Sequence, residues 1–326
     1  MNLSALKAFK NQIKASAVCI FALALLAIFL KNPSLTAMAA ASSAAKCGSM
    51  LIPSLFPLMA ASEIAVASGA AERLIRPISK GISKIIGIKK EAAAPLVLGF
   101  FCGYTASVSG ALSLLKTRKI TEKDCERIIF LSALPSLPFV TGFLGSSVLK
   151  NTTDGWILWV ISLVSSLFIG LLTKSKNHEA SAKLKVKSDL SIKPPKKSLS
   201  KIIVGAISHA SESMILICAC VIFFSVLTEA LGQILDTVYI SEIIQKLLLG
   251  TLEITGGVLS TAHITPYALK CTACAFLLGW SGLSIHFQII ALCDGYNLSF
   301  KKYFLIKAVQ GVLCAALAFV IFGLGF

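Results

Sequence analysis

Charge is scarce in this sequence. Asp, Glu, Lys and Arg make up 14% of the 326 residues, 56% are hydrophobic and the mean hydropathy is +0.83, far too apolar for a soluble domain of this length. Catalytic signatures are missing as well. There is no H-E-x-x-H, no Walker loop and no G-x-S-x-G, and no room for a soluble catalytic domain between the apolar runs, so the chain is expected not to be an enzyme or an ATP-driven pump. The net charge of +16 is not gathered into one basic patch with interleaved aromatics, so no nucleic-acid partner is expected. Cysteine is not lacking, but Cys218 with Cys220 and the Cys271-x-x-Cys274 pair sit in apolar, helix-like sequence. No second ligand pair stands at metal-site spacing, so they are read as packed, reduced thiols, with no metal and no cofactor.

What is present is a series of apolar runs near the roughly 20 residues that cross a bilayer as helix: 16–30, 48–69, 128–149, 156–173, 212–231, 268–292 and 303–324. The predicted fold class is an all-α polytopic membrane protein, with about seven transmembrane helices and two re-entrant helical hairpins in an inverted repeat. The first run follows Lys7, Lys10 and Lys14; without a small-residue cleavage site before Lys31 and Asn32, it is read as a retained helix rather than a signal peptide.

With Met1 cytoplasmic and seven crossings, the basic loops sort to one side. Of 31 basic residues, only Lys31, Lys46, Lys150, Lys246 and Lys270 fall outside, the asymmetry expected of a consistent topology. Residues 91–115 resist crossing, because Lys89 and Lys90 precede them and Lys116, Arg118 and Lys119 follow. A re-entrant hairpin turning within Gly103–Gly110 leaves both ends inside, and irregular backbone at that depth must be buried in protein or line a cavity.

Residues 247–264, with Glu253, Gly256, Gly257 and His263 inside an apolar run, take the same place in the second half with both ends outside. The halves correspond element by element: a helix (48–69, then 205–231), an amphipathic segment (72–90, then 234–246), a hairpin, a broken helix (128–149, then 268–292) and a final helix. The predicted organisation is an N-terminal helix at 1–32, a first repeat at 33–173, a basic cytoplasmic linker at 174–201 and a second repeat at 202–326. Inverted repeats with interrupted segments point to a secondary transporter, in which Glu253 is tolerated because it faces a cavity.

Candidate site residues cluster at the interruptions. Pro53 and Pro57 break one helix beside Ser54, and Pro135 and Pro138 break another around Ser136; the carbonyls they free need partners. The hairpins offer Gly103, Tyr104, Ser107 and Ser109 in the first half, and Thr255 and Gly256 in the second. After Gly279 and Gly282 come Ser284, His286 and Gln288, several of which an unwound stretch at 281–285 points inward. Glu253 and His286 are candidates for a coupling proton or for fixing the second hairpin; for His286 a satisfied interhelical hydrogen bond stands beside that reading. Glu63 either faces the cavity or sits near the interface.

The stretches "PSLFP", "GFFCGYTASVSGA" followed by "KITEKDCERIIFLSA", "LEITGG" and "GWSGLSIHFQ" together resemble the sporulation integral membrane protein YlbJ family, which carries the nucleoside-recognition (Gate) domain. The resemblance runs from about Pro33 to Phe326. It implies a fold like the concentrative nucleoside transporters and a bacterial integral membrane protein of the outer forespore membrane, with the N-terminus and basic loop cytoplasmic. It also implies that dipicolinic acid is moved from mother cell to forespore. Two positions depart from the family pattern: Thr105 stands where Gly-Tyr is usually followed by Pro, and "SALPSLPF" lacks the usual Asn-rich turn. The expected partners are therefore a small anionic solute and the lipid bilayer, with H+ or Na+ as coupling ion and a homo-oligomer left open. The competing readings are a nucleoside-type transporter and a non-transporting membrane scaffold needed for spore formation.

Overall fold

The computed structural model describes residues 3–174, 198–238, 240–296 and 298–324; apart from its two ends, the basic linker lies outside the described residues. Every regular element among them is helical. Helix α1 (Leu3–Lys31) ends at Asn32, whose side chain accepts the Leu35 N–H, and Pro33 opens α2 (Pro33–Lys46), the position where a missing N–H costs nothing. A π turn at Cys47–Leu51 carries α2 into α3 (Ile52–Ala67) without interruption. The span expected to start near 48 therefore starts at Pro33. Pro53 and Pro57 do not break it: Pro53 stands in the first turn of α3, Pro57 lies inside the continuing helix, and the hydroxyl of Ser54 donates to Met50 O at 2.6 Å within the same run.

Helix α4 (Ala70–Ile86) follows and buries Ile75 and Ile86 while leaving Leu74 and Ile78 exposed. Next come α5 (Ala93–Cys102), α6 (Tyr104–Lys116), α7 (Glu122–Ser132), a π-helical segment (Phe139–Val148) and α8 (Thr152–Leu172). The second half runs α9 (Leu199–Leu235), α10 (Glu242–Gly250), α11 (Ile254–Ser260), α12 (Tyr267–Trp280), α13 (Leu283–Leu292) and α14 (Phe300–Gly323). Long helix, hairpin, broken helix and closing helix thus recur in the same order. The second hairpin begins at Glu242, so the amphipathic segment expected at 234–246 is divided among the last two residues of α9, a connection and the first five residues of α10.

Among the described residues, five helical stretches are long and apolar enough to cross a membrane: Pro33–Ala67, Thr152–Leu172, Leu199–Leu235, Tyr267–Leu292 and Phe300–Gly323. Two of the seven expected runs are shorter among the described residues. Ser16–Lys31 is the apolar end of α1, and the 128–149 run is interrupted between Ser132 and Phe139, where Pro135 and Pro138 stand, which leaves only Phe139–Val148. The exterior is apolar, with Phe21, Leu172, Ile215 and Val312 exposed, while Ser107, Ser165, Glu253, Gln288 and Lys307 are buried. That inversion of the usual soluble pattern is the arrangement of a helical membrane protein.

One end of the bundle collects the basic loops. Arg127 donates to Ile86 O at 2.6 Å, to Gly170 O at 2.8 Å and to Thr173 O, so a single guanidinium closes the C-termini of α4 and α8. Lys174 Nζ reaches Lys84 O, and Glu126 accepts the N–H of Ser299 just before Lys301 and Lys302. At the other end Tyr267 donates to Asp154, tying the start of α12 to the start of α8. One residue leaves the basic set. Lys307, counted above among cytoplasmic loop residues, is fully buried inside α14.

Candidate functional site

Helices α5 and α6 fold back on each other as a hairpin, with a Cβ on Gly110 falling 3.3 Å from Pro95 and one on Gly99 only 2.6 Å from Ser107. The turn is Gly103 alone, at φ 89° and ψ 178°, a conformation open to essentially no other residue. The stretch from Tyr104 to Gly110 is regular α6 rather than the turn itself. Ser107 therefore meets Ser132 between α6 and α7 instead of replacing lost backbone bonds.

In the second hairpin, α10 and α11 approach until a Cβ on Gly257 would stand 2.5 Å from Gly250 Cα. Glu253 occupies the tip as the N-cap of α11, one carboxylate oxygen accepting Thr255 N–H at 2.8 Å and the other Gly256 N–H at 2.6 Å. A buried carboxylate is tolerated here because its charge meets the orphan donors and the positive end of a helix.

Each hairpin tip meets a broken helix. Gly103 lies against Ser136 in the break between α7 and the π segment, a Cβ there standing 3.2 Å from the Ser136 side chain. The second tip pairs with the break at Ser281–Gly282: Leu283 N–H donates to Thr251 O at 2.8 Å and Ser284 N–H to Leu252 O at 2.9 Å. Two tryptophans close the first arms, Trp159 Nε1 on Phe100 O at 3.0 Å and Trp280 Nε1 on Thr251 O at 2.9 Å. Across the molecule, α6 packs on α13 and α11 on the π segment, so each hairpin's second arm touches the broken helix of the other half.

A small cavity of about 70 Å³, open at one side, lies between these four interruptions. That is below the usual range for small-molecule sites, so a ring-sized solute needs the walls to part. The first tip contributes Gly103, Tyr104 and Thr105, the second Glu253, Ile254 and Thr255, and the breaks Ser136, Ser284 and Gln288. Its walls are apolar, with Leu51, Leu55 and Met59 of α3 facing Ile217 and Val221 of α9, and Phe139 beside them. Tyr104 OH donates to Gln288 Oε1 and Gln288 Nε2 to Ser284 Oγ at 3.3 Å, linking the two halves across the cavity.

Of the sequence candidates, Gly103, Tyr104, Ser136, Thr255, Ser284, Gln288 and Glu253 meet at this cavity. Ser54 does not, since its hydroxyl is held by Met50 O and Leu51 O within α3. Gly256 lies behind Glu253, Ser107 lies between helices, and Ser109 lines a second, larger hollow together with Glu63 and His209. The unwound stretch expected at 281–285 is confined to Ser281 and Gly282, so Ser284 and Gln288 share a face of α13. His286 points away from them, its Nδ1 2.7 Å from Tyr303 OH and its ring edge-on to Trp280 at 4.6 Å. This is an interhelical hydrogen bond, as the alternative reading had it, but the ring is only half satisfied, since the buried Nε2 has no hydrogen-bond partner among the described residues.

The apolar walls and the buried polar stripe of α14 escaped sequence reasoning. Tyr303, Lys307, Gln310 and Cys314 are all buried and recur at helical spacing. That register inside an apolar run was the available signal for Lys307, which its nearness to Lys301 and Lys302 obscured.

The chain is similar to the sporulation integral membrane protein YlbJ of Bacillus subtilis (strain 168), at 22% identity over an alignment of 337 positions covering 94% of this chain and 82% of the relative. No family model matches the chain, and no solved structure matches it significantly.

Proposed function

Starting from a chain related to a sporulation integral membrane protein, we propose a secondary transporter of a small anionic solute, dipicolinate above all, moved from mother cell to forespore across the outer forespore membrane. The observation that carries this reading is the cavity itself, built where two hairpin tips and two helix breaks converge. Alternating access by rocking one half against the other needs a site shared by both halves at such interruptions. In this reading α5–α6 and α10–α11 are re-entrant hairpins entering from opposite faces, the basic end of the bundle being cytoplasmic.

The lining suits a flat anion. Apolar walls from α3 and α9 flank a ring, and the N-terminus of α6 opens at Gly103 without a side-chain cap, leaving its first N–H groups and helix dipole for a carboxylate. Thr105 retains an N–H that the proline of the family pattern lacks. The charge of Glu253 is turned into α11 by its two backbone bonds, so the anion is received at the first tip. Entry from the basic end follows the second hollow, about 650 Å³, which is lined by Arg76, Lys90 and Lys119 and by Ala106 of the first hairpin, next to Thr105.

Equilibrium binding to the purified, detergent-solubilised protein tests the site. Dipicolinate is expected to bind saturably. Gln288→Ala or Tyr104→Ala weakens it tenfold or more, as loss of a hydrogen bond to a charged group is worth about 1.5–3 kcal/mol; Ser54→Ala leaves it unchanged. Binding of nucleosides instead transfers the site to a nucleoside transporter, and binding of neither by folded protein leaves the scaffold reading. Cysteines replacing Lys89 and Lys116 are expected to label from the cytoplasmic face only; labelling from opposite faces removes the first re-entrant hairpin and with it the inverted repeat.

A further inference from the structure

The most unusual charge in the molecule lies behind the cavity rather than in it. Lys307 is fully buried in α14, in a helix long and apolar enough to span a membrane. Its Nζ donates to Ala133 O at 2.6 Å and to Gln310 Oε1 at 2.7 Å. None of the ion pairs among the described residues involves it. Ionisable groups in such a position are costly, so each calls for a partner and a role.

One partner is the free end of a half-helix, and the end of a second half-helix lies against it. Ala133 is the C-cap of α7, and the break that follows, with Pro135, leaves its carbonyl outside the helical ladder. Ser281 is the C-cap of α12, held in the left-handed region at φ 78°, and its hydroxyl donates to the same Ala133 O at 2.8 Å. A short backbone approach makes this possible: a Cβ on Gly279 would stand 2.8 Å from Gln310 O and from Gly311 Cα, so α12 and α14 touch main chain to main chain. The negative ends of two helix dipoles therefore meet at one place, together with an amide oxygen. Free carbonyls at half-helix C-termini are what coordinates a Na+ in transporters with discontinuous helices.

We infer that Lys307 is a built-in cation at the junction of the two helix breaks, occupying with its own ammonium the place a monovalent metal cation would otherwise take. An ammonium supplies three N–H donors and no acceptor, which suits the Ala133 carbonyl and the Gln310 amide oxygen. Tethered through α14, it clamps the first half's break to α14, which packs on α12 at Gly279, in the conformation seen here. The consequence for flux, uptake that needs no Na+, rests on the transporter reading; the clamp does not.

Thermal unfolding of the full-length protein in detergent, in choline buffer and with Na+ or propylammonium added, separates the possibilities. The native protein is expected to unfold at the same temperature in all three. Lys307→Ala, which opens space at the junction, is expected to lose folded protein in choline and regain at least half of it with propylammonium or Na+. If it unfolds during purification in choline, recovery only when solubilised with propylammonium is the same result. Lys307→Met fills the space without charge and is expected to stay destabilised whatever the cation. A Lys307→Met variant as stable as the native protein overturns the inference, as does Lys307→Ala that neither cation improves. Gln310→Leu leaves Lys307 in place and removes one acceptor, so it is expected to unfold between native protein and Lys307→Met; no change would also count against the clamp.

Discussion

Gly257→Ala is expected to remove most of the folded protein, while Gly256→Ala, one residue earlier in the same "TGG", is tolerated. A Cβ at 257 would lie 2.5 Å from Gly250 Cα and 3.1 Å from Gly250 O. Both are backbone atoms of the facing arm, so relief requires α10 and α11 to separate. Overpacking of this kind costs about 1–3 kcal/mol or more, and here the separation also pulls Thr251 and Leu252 away from Leu283 and Ser284. At 256 the nearest atom is Glu253 Oε2 at 3.3 Å, on a side chain that can shift, and alanine is the better helix former by about 0.5–1 kcal/mol. The yield of monodisperse protein in detergent and its unfolding temperature measure the contrast. Equal behaviour of the two variants would mean that the hairpin does not close as described.

At Glu253 the expected order of stability is native, then Asp, then Gln, then Ala. Removing the carboxylate leaves the N–H groups of Thr255 and Gly256 without their acceptor. An N-cap is worth about 0.5–2 kcal/mol, and a buried unsatisfied donor costs about 1–3 kcal/mol. Asp remains a good cap. Gln keeps one acceptor but turns an amide N–H toward a backbone N–H, so it falls between. Dipicolinate binding is expected to follow the same order, because the second tip shapes the cavity. Gln as stable as native but deficient in proton-coupled flux would instead make Glu253 a proton carrier, with the cap incidental.

The breaks at "LPSLPF" and "GWSG" and a polar tip at "LEIT" are readable in the sequence because Pro, Gly and an isolated carboxylate act through their own backbone chemistry. Tyr104, Ser284 and Gln288 were identifiable for the same reason: each stands beside such an interruption. Ser54 shows the limit of that reasoning. Its neighbours Pro53 and Pro57 suggest a broken helix, yet the π turn at Cys47–Leu51 absorbs the irregularity and α3 runs on, so the hydroxyl is used locally. Lys307 shows the opposite limit. A lysine near a helix start has the same local signature whether it snorkels to the interface or turns inward, and the choice depends on what the facing helix offers.

By itself the sequence determined the elements: a helical membrane protein, its basic loops sorted to one side, and interruptions at positions set by proline, glycine and charge. These follow from local backbone preference and from the cost of burying charge in lipid. Only the tertiary structure decided which interruptions meet. That Ser281 and Lys307 converge on Ala133 O, that two indoles close the hairpin arms, and that Tyr104 reaches Gln288 depends on groups far apart in the chain. A freed carbonyl announces that it needs a donor but not which helix will bring one, and the packing of small residues such as Gly279 on Gly311 settles that.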